Sequence, residues 1–322
     1  MADYDFSKVD AYILEPESGA RRLIRNSLEV LSVTRIASFS GLNDLREGIA
    51  KETPDLLICD IESADSDLLR LIHSTRHGHL GTNPYLCVIV TTWAATKPLV
   101  DRFTNCGADA LLIKPFSIRQ LADRVIALTD APRHFIVTND YIGPDRRRAP
   151  REGVSSAPLV EVPHSLRLKA TRTFSKTDLP ALIDNADREI NERKLVRHAF
   201  QIAFLLEFAL PDLLAGRQDG LAWDHLLRAI TVLDETQRRF TRVNRTLPQA
   251  EATCGALKGL AQRVKDGKAS ATDLAQLRPR SIELMRMISP HRRAEELARE
   301  VSDAVAGYRR RLEELAKAKQ AG

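Results

Sequence analysis

Four polar residues each sit at the end of a short apolar run. Glu15 closes Ala11–Glu15, Asp60 closes Asp55–Asp60, Thr91 closes Leu86–Thr91, and Lys114 follows Ala110–Ile113. Two carboxylates, a hydroxyl and an ammonium brought to one place would make a ligand site. They can meet only if the runs that carry them lie side by side and point the same way.

The intervening sequence supplies that arrangement. With Arg35–Phe39 the apolar runs number five and read as strands, three of them almost continuously apolar, as in a sheet covered on both faces. Between and after them Gly19–Leu31, Leu42–Lys51, Asp65–Arg76, Lys97–Cys106 and Ile118–Leu128 carry helical periodicity. Strict alternation of strand and helix implies an α/β domain with a parallel, doubly wound sheet. In such sheets ligands bind beyond the carboxyl ends of the strands. Topology alone therefore gathers Glu15, Asp60, Thr91 and Lys114 at one edge.

At this point residues 10–130 resemble the receiver family of two-component response regulators, the CheY-like flavodoxin-like (βα)5 domain. The matching pieces are Tyr12-Ile13-Leu14-Glu15-Pro16-Glu17, Pro54-Asp55-Leu56-Leu57-Ile58-Cys59-Asp60, Val88-Ile89-Val90-Thr91-Thr92, and Gly107-Ala108-Asp109 followed by Lys114-Pro115-Phe116. The resemblance implies that Asp60 accepts a phosphoryl group from a sensor histidine kinase or a phosphotransfer protein. A carboxylate is a poor nucleophile toward phosphorus unless the phosphate charge is neutralised and the reactants are held in line. The resemblance assigns that neutralisation to Mg²⁺, held by Glu15, Asp60 and the backbone carbonyl of Glu62, with waters completing the shell. Lys114 would pair with one phosphate oxygen and Thr91 would donate to another. Lys114–Pro115 matches the family's cis peptide, which would aim the lysine inward.

Two residues depart from the family pattern. Pro16 stands where a second acidic residue is usual, which weakens the expected metal site. Glu17 is expected to open the first helix instead of replacing it. Leu111 stands where many relatives carry a switching aromatic residue. A receiver that has lost phosphorylation and serves as a scaffold is the competing reading.

Beyond the receiver, assigned to residues 1–130, residues 131–176 read as a basic linker rich in Pro and Arg. The linker contains Tyr141-Ile142-Gly143-Pro144-Asp145-Arg146-Arg147-Arg148 and one short extended stretch at His134–Thr138. Arg147 and Arg151 have the spacing of a PilZ-type arginine pair, but the Asp-x-Ser-x-x-Gly element that accompanies it there is missing. Residues 177–322 read as an all-α bundle of five or six helices, with breaks at Gly216, Gly220, Pro248, Gly267 and Pro290. A stripe from Leu297 to Leu315 fits a bundle core or the seam of a homodimer.

Composition narrows the function class. Residues 1–130 carry 14 Lys/Arg against 18 Asp/Glu, whereas residues 175–322 carry 26 against 21, so the two halves are expected to meet different partners. Thr272–Arg299 is basic and helical but has no helix-turn-helix pattern, and a nucleic-acid-binding regulator is the third reading. His198, His225 and His291 lack a phosphotransfer context. Asp234 with Gln237, and Asp187 with Asn191, have the spacing of an acid–amide phosphatase pair. The four cysteines show neither disulfide nor metal spacing. No apolar run is long enough to span a membrane and the start of the chain has no apolar leader core, so a cytoplasmic signalling protein, not an enzyme, is expected to act through a protein target of its helical domain.

Overall fold

The computed structural model describes residues 4–61, 65–138, 140–146, 159–173, 178–243 and 246–320. The chain divides into two compact units, Met1–Ala186 and Asp187–Gly322.

In the first unit β1 (Asp10–Leu14), β2 (Arg35–Phe39), β3 (Leu56–Asp60), β4 (Cys87–Thr92) and β5 (Ala110–Ile113) form a parallel sheet in the order β2-β1-β3-β4-β5. Helices α1 (Ser18–Val30), α2 (Leu42–Lys51), α3 (Asp65–Arg76), α4 (Lys97–Cys106) and α5 (Ile118–Asp130) alternate with the strands. This is the flavodoxin-like (βα)5 arrangement. Every residue of β3 and β4 is buried, whereas the edge strand β2 is half exposed. That pattern is why the central runs are apolar throughout, because each side chain, up or down, meets a covering helix. One core gathers Ala11, Ile13, Ile24, Leu28, Ile58 and Val125 on one face, and another gathers Leu14, Leu45, Leu57, Leu68, Val90 and Phe103 on the other.

Helix ends are set by local chemistry. Glu17 caps α1, its carboxylate accepting from the N–H groups of Gly19 and Ala20. Ser117 and Gln120 form a reciprocal capping box on α5. Glu17 therefore opens the helix, as its position implied.

The stretch expected to be a linker differs from that expectation. β6 (Phe135–Val137), β7 (Ile142–Pro144) and β8 (Leu159–Val160) form an antiparallel sheet in the order β7-β6-β8, and α6 (Ser165–Ala170) follows. These elements pack on the edge of the parallel sheet opposite the strand carboxyl ends. Leu166 and Ala170 enter the same core cluster as Ala11 and Ile58. Lys169 lies 2.6 Å from both Asp10 and Asp55. Arg167 donates to the Thr129 and Asp130 carbonyls at 3.0 and 2.6 Å, tying off the carboxyl end of α5 with a cation.

Nearby, Gly107 turns from α4 to β5 with a φ of 88°, and a Cβ there would lie 2.8 Å from the Ile142 carbonyl. Only glycine fits that approach. Arg76, almost wholly buried, pairs with Asp109 at 2.8 Å and donates to the carbonyls of Gly107, Pro84 and Leu86. The Phe135 ring centroid is 5.2 Å from its guanidinium carbon. Prolines and arginines dominate the composition of residues 131–176, yet Phe135, Ile136, Val137, Ile142, Val160 and Leu166 are buried. Arg147, Arg148 and Arg151 lie outside the described residues.

The second unit is an all-α bundle. It comprises most of α7 (Asp178–Leu214), then α8 (Gly220–Arg239), α9 (Pro248–Lys265), α10 (Ala271–Ile288) and α11 (Ala294–Gln320). Its core draws on all five helices, with Ile202, Leu206, Leu226, Leu233, Leu257, Leu277, Leu284 and Val301 all buried. In the α11 stripe Leu297 and Val301 are buried and Tyr308 and Leu312 pack partly buried against the same core, while Leu315 is 61% exposed. The first part of that stripe is therefore core. Among the described residues, no helix is long and apolar enough to cross a membrane.

Candidate functional site

Register assembles the predicted site. Parallel pairing sets Asp60 beside Thr91, Leu14 beside Cys59, and Thr92 beside Ile113. Residues at the carboxyl ends of β1, β3, β4 and β5 consequently face one pocket. Glu15, Asp60, Thr91 and Lys114 are all buried.

Lys114 is the hub. Its Nζ lies 2.8 Å from Glu15 Oε2 and 2.8 Å from Asp60 Oδ1. The Lys114–Pro115 peptide is cis. Burial works against the charged ammonium, but its hydrogen bonds to Asp60 and Glu15 outweigh that effect and hold its pKa above the usual lysine value. The Thr91 hydroxyl is 3.5 Å from Asp60 Oδ1, the outer limit of a hydrogen bond. Glu15 Oε1 accepts from the Glu17 N–H at 3.1 Å, which fixes the orientation of its carboxylate. Arg21 donates to the carbonyls of Glu15 and Pro16 and braces the loop from behind.

All four predicted side chains meet. The fifth position, the Glu62 carbonyl, lies outside the described residues. Pro16 brings no donor, and Glu17 is spent on the helix cap. Two carboxylates sharing one ammonium form an all-oxygen pair of the kind a hard divalent ion takes, and Mg²⁺, which retains several waters, needs only one or two protein carboxylates. The pair therefore fits Mg²⁺, although Lys114 already claims both members. Among the described residues no group of three His, Cys, Asp or Glu could hold a metal.

Trp93 carried no assigned role in the sequence. Its ring centroid lies 5.6 Å from Lys114 Nζ, and the residue is 56% exposed. Its position directly after Thr91-Thr92 on the β4–α4 loop was the only signal. Leu111 is partly buried against the core that contains Val90 and Phe103.

The alternative motifs come out differently. His198 is buried, with Nδ1 at 3.3 Å from the Thr236 hydroxyl, and His225 stacks on Phe208. Asn191 is buried, its amide bonded to the Asp187 backbone carbonyl and to Arg239, so it does not form an exposed pair with the Asp187 side chain. Asp234 and Gln237 both reach Lys258, at 2.5 and 3.4 Å. The cysteines are free and buried, and burial pushes the Cys59 and Cys87 thiols well above their usual pKa.

Residues 11–126 match the family model of the response regulator receiver domain. A response regulator from Thermotoga maritima is similar to the chain at 20% identity, covering 38% of this chain and 98% of that one, with a TM-score of 0.34. The receiver domain of nitrogen regulatory protein C is similar at 26% identity, covering 38% of this chain and 98% of that one, with a TM-score of 0.32. No curated protein matches the chain.

Proposed function

We propose, from the premise that residues 11–126 form a receiver domain, that the protein is an atypical response regulator phosphorylated on Asp60. Its donor is a sensor histidine kinase or a phosphotransfer protein, and its helical unit engages a protein target. The observation that carries this reading is the convergence of Glu15, Asp60, Thr91 and Lys114 in one buried pocket.

In the reaction an Asp60 carboxylate oxygen attacks phosphorus while the P–N bond to the donor imidazole breaks. Lys114 stays beside Asp60 and takes a phosphate oxygen in place of one of its present carboxylate partners. Thr91 exchanges its long contact with Asp60 for a phosphate oxygen, which pulls the start of the β4–α4 loop toward the site. Glu15, Asp60 and the Glu62 carbonyl are the residues that would hold Mg²⁺. When bound, the ion neutralises charge on the phosphoryl oxygens. The four side chains are buried, which strengthens each of these electrostatic contacts.

Pro16 and the doubly engaged Lys114 support a second reading, a scaffold that never takes phosphate. Trp93 separates the two. In a Trp223→Phe background, Mg²⁺ with beryllofluoride is expected to change Trp93 fluorescence, and Asp60→Asn is expected to abolish the change. A spectrum that stays the same before and after Mg²⁺ and beryllofluoride favours the scaffold.

A further inference from the structure

Two arginines lie at the corner where β7 meets the end of α4, and they are treated oppositely. Arg76 has each guanidinium nitrogen hydrogen-bonded, with Asp109 as counter-ion. Arg146, at the end of the Tyr141–Arg146 segment, has its Nε, Nη1 and Nη2 all buried without a hydrogen-bond partner. Its guanidinium carbon lies 4.2 Å from the centroid of the Phe103 ring, so the cation sits over a side chain of α4. A guanidinium carries its donors in its own plane, so a ring beneath it satisfies none of them.

This is a costly arrangement. Arginine cannot shed its proton in a protein, and a buried charge calls for a counter-charge. Burial does press the Arg146 pKa downward, and Arg133 adds to that effect. The nearby acid, Asp109, is already committed, because its Oδ2 accepts from Arg76 and from the Val88 N–H at 2.7 Å. Arg133, exposed, leans on the Asp109 carbonyl at 3.5 Å. Three arginines thus gather at one carboxylate, whose Oδ2 is taken by Arg76 and the Val88 N–H. Arg146 is held in place by the segment before it. Gly143 packs against the Gly107 backbone, and the Tyr141 hydroxyl donates to the Pro144 carbonyl at 3.0 Å.

We propose that Arg146, seated on Phe103 and flanked by Arg133, is the anchor of a binding site for a phosphate-class oxyanion, free or carried on a small molecule. The site is separate from the phosphoryl chemistry at Asp60 and independent of it. The oxyanion supplies the missing counter-charge and accepts from the in-plane donors of Arg146, a geometry that suits a tetrahedral oxyanion with several acceptor oxygens.

The test is thermal unfolding of the full chain in chloride buffer, with and without about 10 mM inorganic phosphate at matched ionic strength. Wild type is expected to gain a few degrees with phosphate, and Arg146→Met to gain nothing. In phosphate-free buffer Arg146→Met should unfold no earlier than wild type, because it removes an unpaired buried charge while keeping an apolar stem on Phe103. Adenosine monophosphate in a parallel titration identifies the source. A midpoint equal to that of phosphate assigns the site to the free ion, and one about tenfold lower assigns it to a nucleotide. Adenosine alone should do nothing. The proposal is overturned if Arg146→Met responds like wild type, if it unfolds earlier in phosphate-free buffer, or if neither anion stabilises wild type.

Discussion

Replacing Lys169 with Met is expected to destabilise the first unit by about 3 kcal/mol at neutral pH, the lower end of the range for stranding a buried carboxylate. Lys169 is nearly buried and lies 2.6 Å from Asp10 and from Asp55, two acids at the amino ends of neighbouring strands. Asp55 suffers most from the loss. Its burial already raises its pKa above the ordinary carboxylate value, and Lys169 is the main influence holding it down. Without the lysine its pKa rises further, so in the fold Asp55 protonates more readily than in the unfolded chain. The sign follows from that difference. The variant binds more protons folded than unfolded, so its deficit is smallest near about pH 4 and widens as pH rises through the raised pKa. Denaturant titrations of both proteins at acid and neutral pH check this. An equal deficit at both would mean that Lys169 acts by packing alone.

The second large effect belongs to Lys114. Lys114→Ala is expected to slow phosphoryl transfer to Asp60 on the order of 10²–10³-fold, the usual cost of removing one preorganised charge from a transition state. The same substitution should raise Mg²⁺ affinity about tenfold or more, because the ammonium now competes with the ion for Glu15 and Asp60. Rates and metal binding therefore move in opposite directions. Trp93 fluorescence read during Mg²⁺ titration, beside transfer rates from a small phosphodonor, measures both. A variant that binds Mg²⁺ no better than wild type would show that the lysine does not compete for that pair.

The two lysines form parallel constructions at opposite ends of β1 and β3. Lys114 joins Glu15 to Asp60 at the carboxyl ends, and Lys169 joins Asp10 to Asp55 at the amino ends. The first was legible in the sequence and the second was not. Lys114 follows a strand directly, and the parallel order of the strands delivers it to Asp60. Lys169 is 159 residues from Asp10, on a six-residue helix inside a stretch whose composition reads as loop. Nothing local announces that pairing.

The same contrast runs through the fold. Helices Leu42–Lys51, Asp65–Arg76 and Lys97–Cys106 have the bounds the periodicity predicts, because each repeats its apolar face over at least two turns. Strands of three, three and two residues at 135–137, 142–144 and 159–160 are too short to show a period. Their apolar residues are held by the receiver edge, a distant partner. The sequence pointed to Tyr141–Arg148 as distinctive, but its reason became visible only where Gly143 meets Gly107 and Arg146 meets Phe103. In the bundle, helix count and breaks were legible, whereas the burial of Asn191 and His198 depends on packing that periodicity does not report.

The most direct measurement is chemical. The full chain is incubated with Mg²⁺ and phosphoramidate, then digested and mapped by mass spectrometry for acyl phosphate. The expected result is a single phosphorylated carboxylate at Asp60, absent from Asp60→Asn. An unmodified Asp60, or phosphate that persists in Asp60→Asn, would contradict the account.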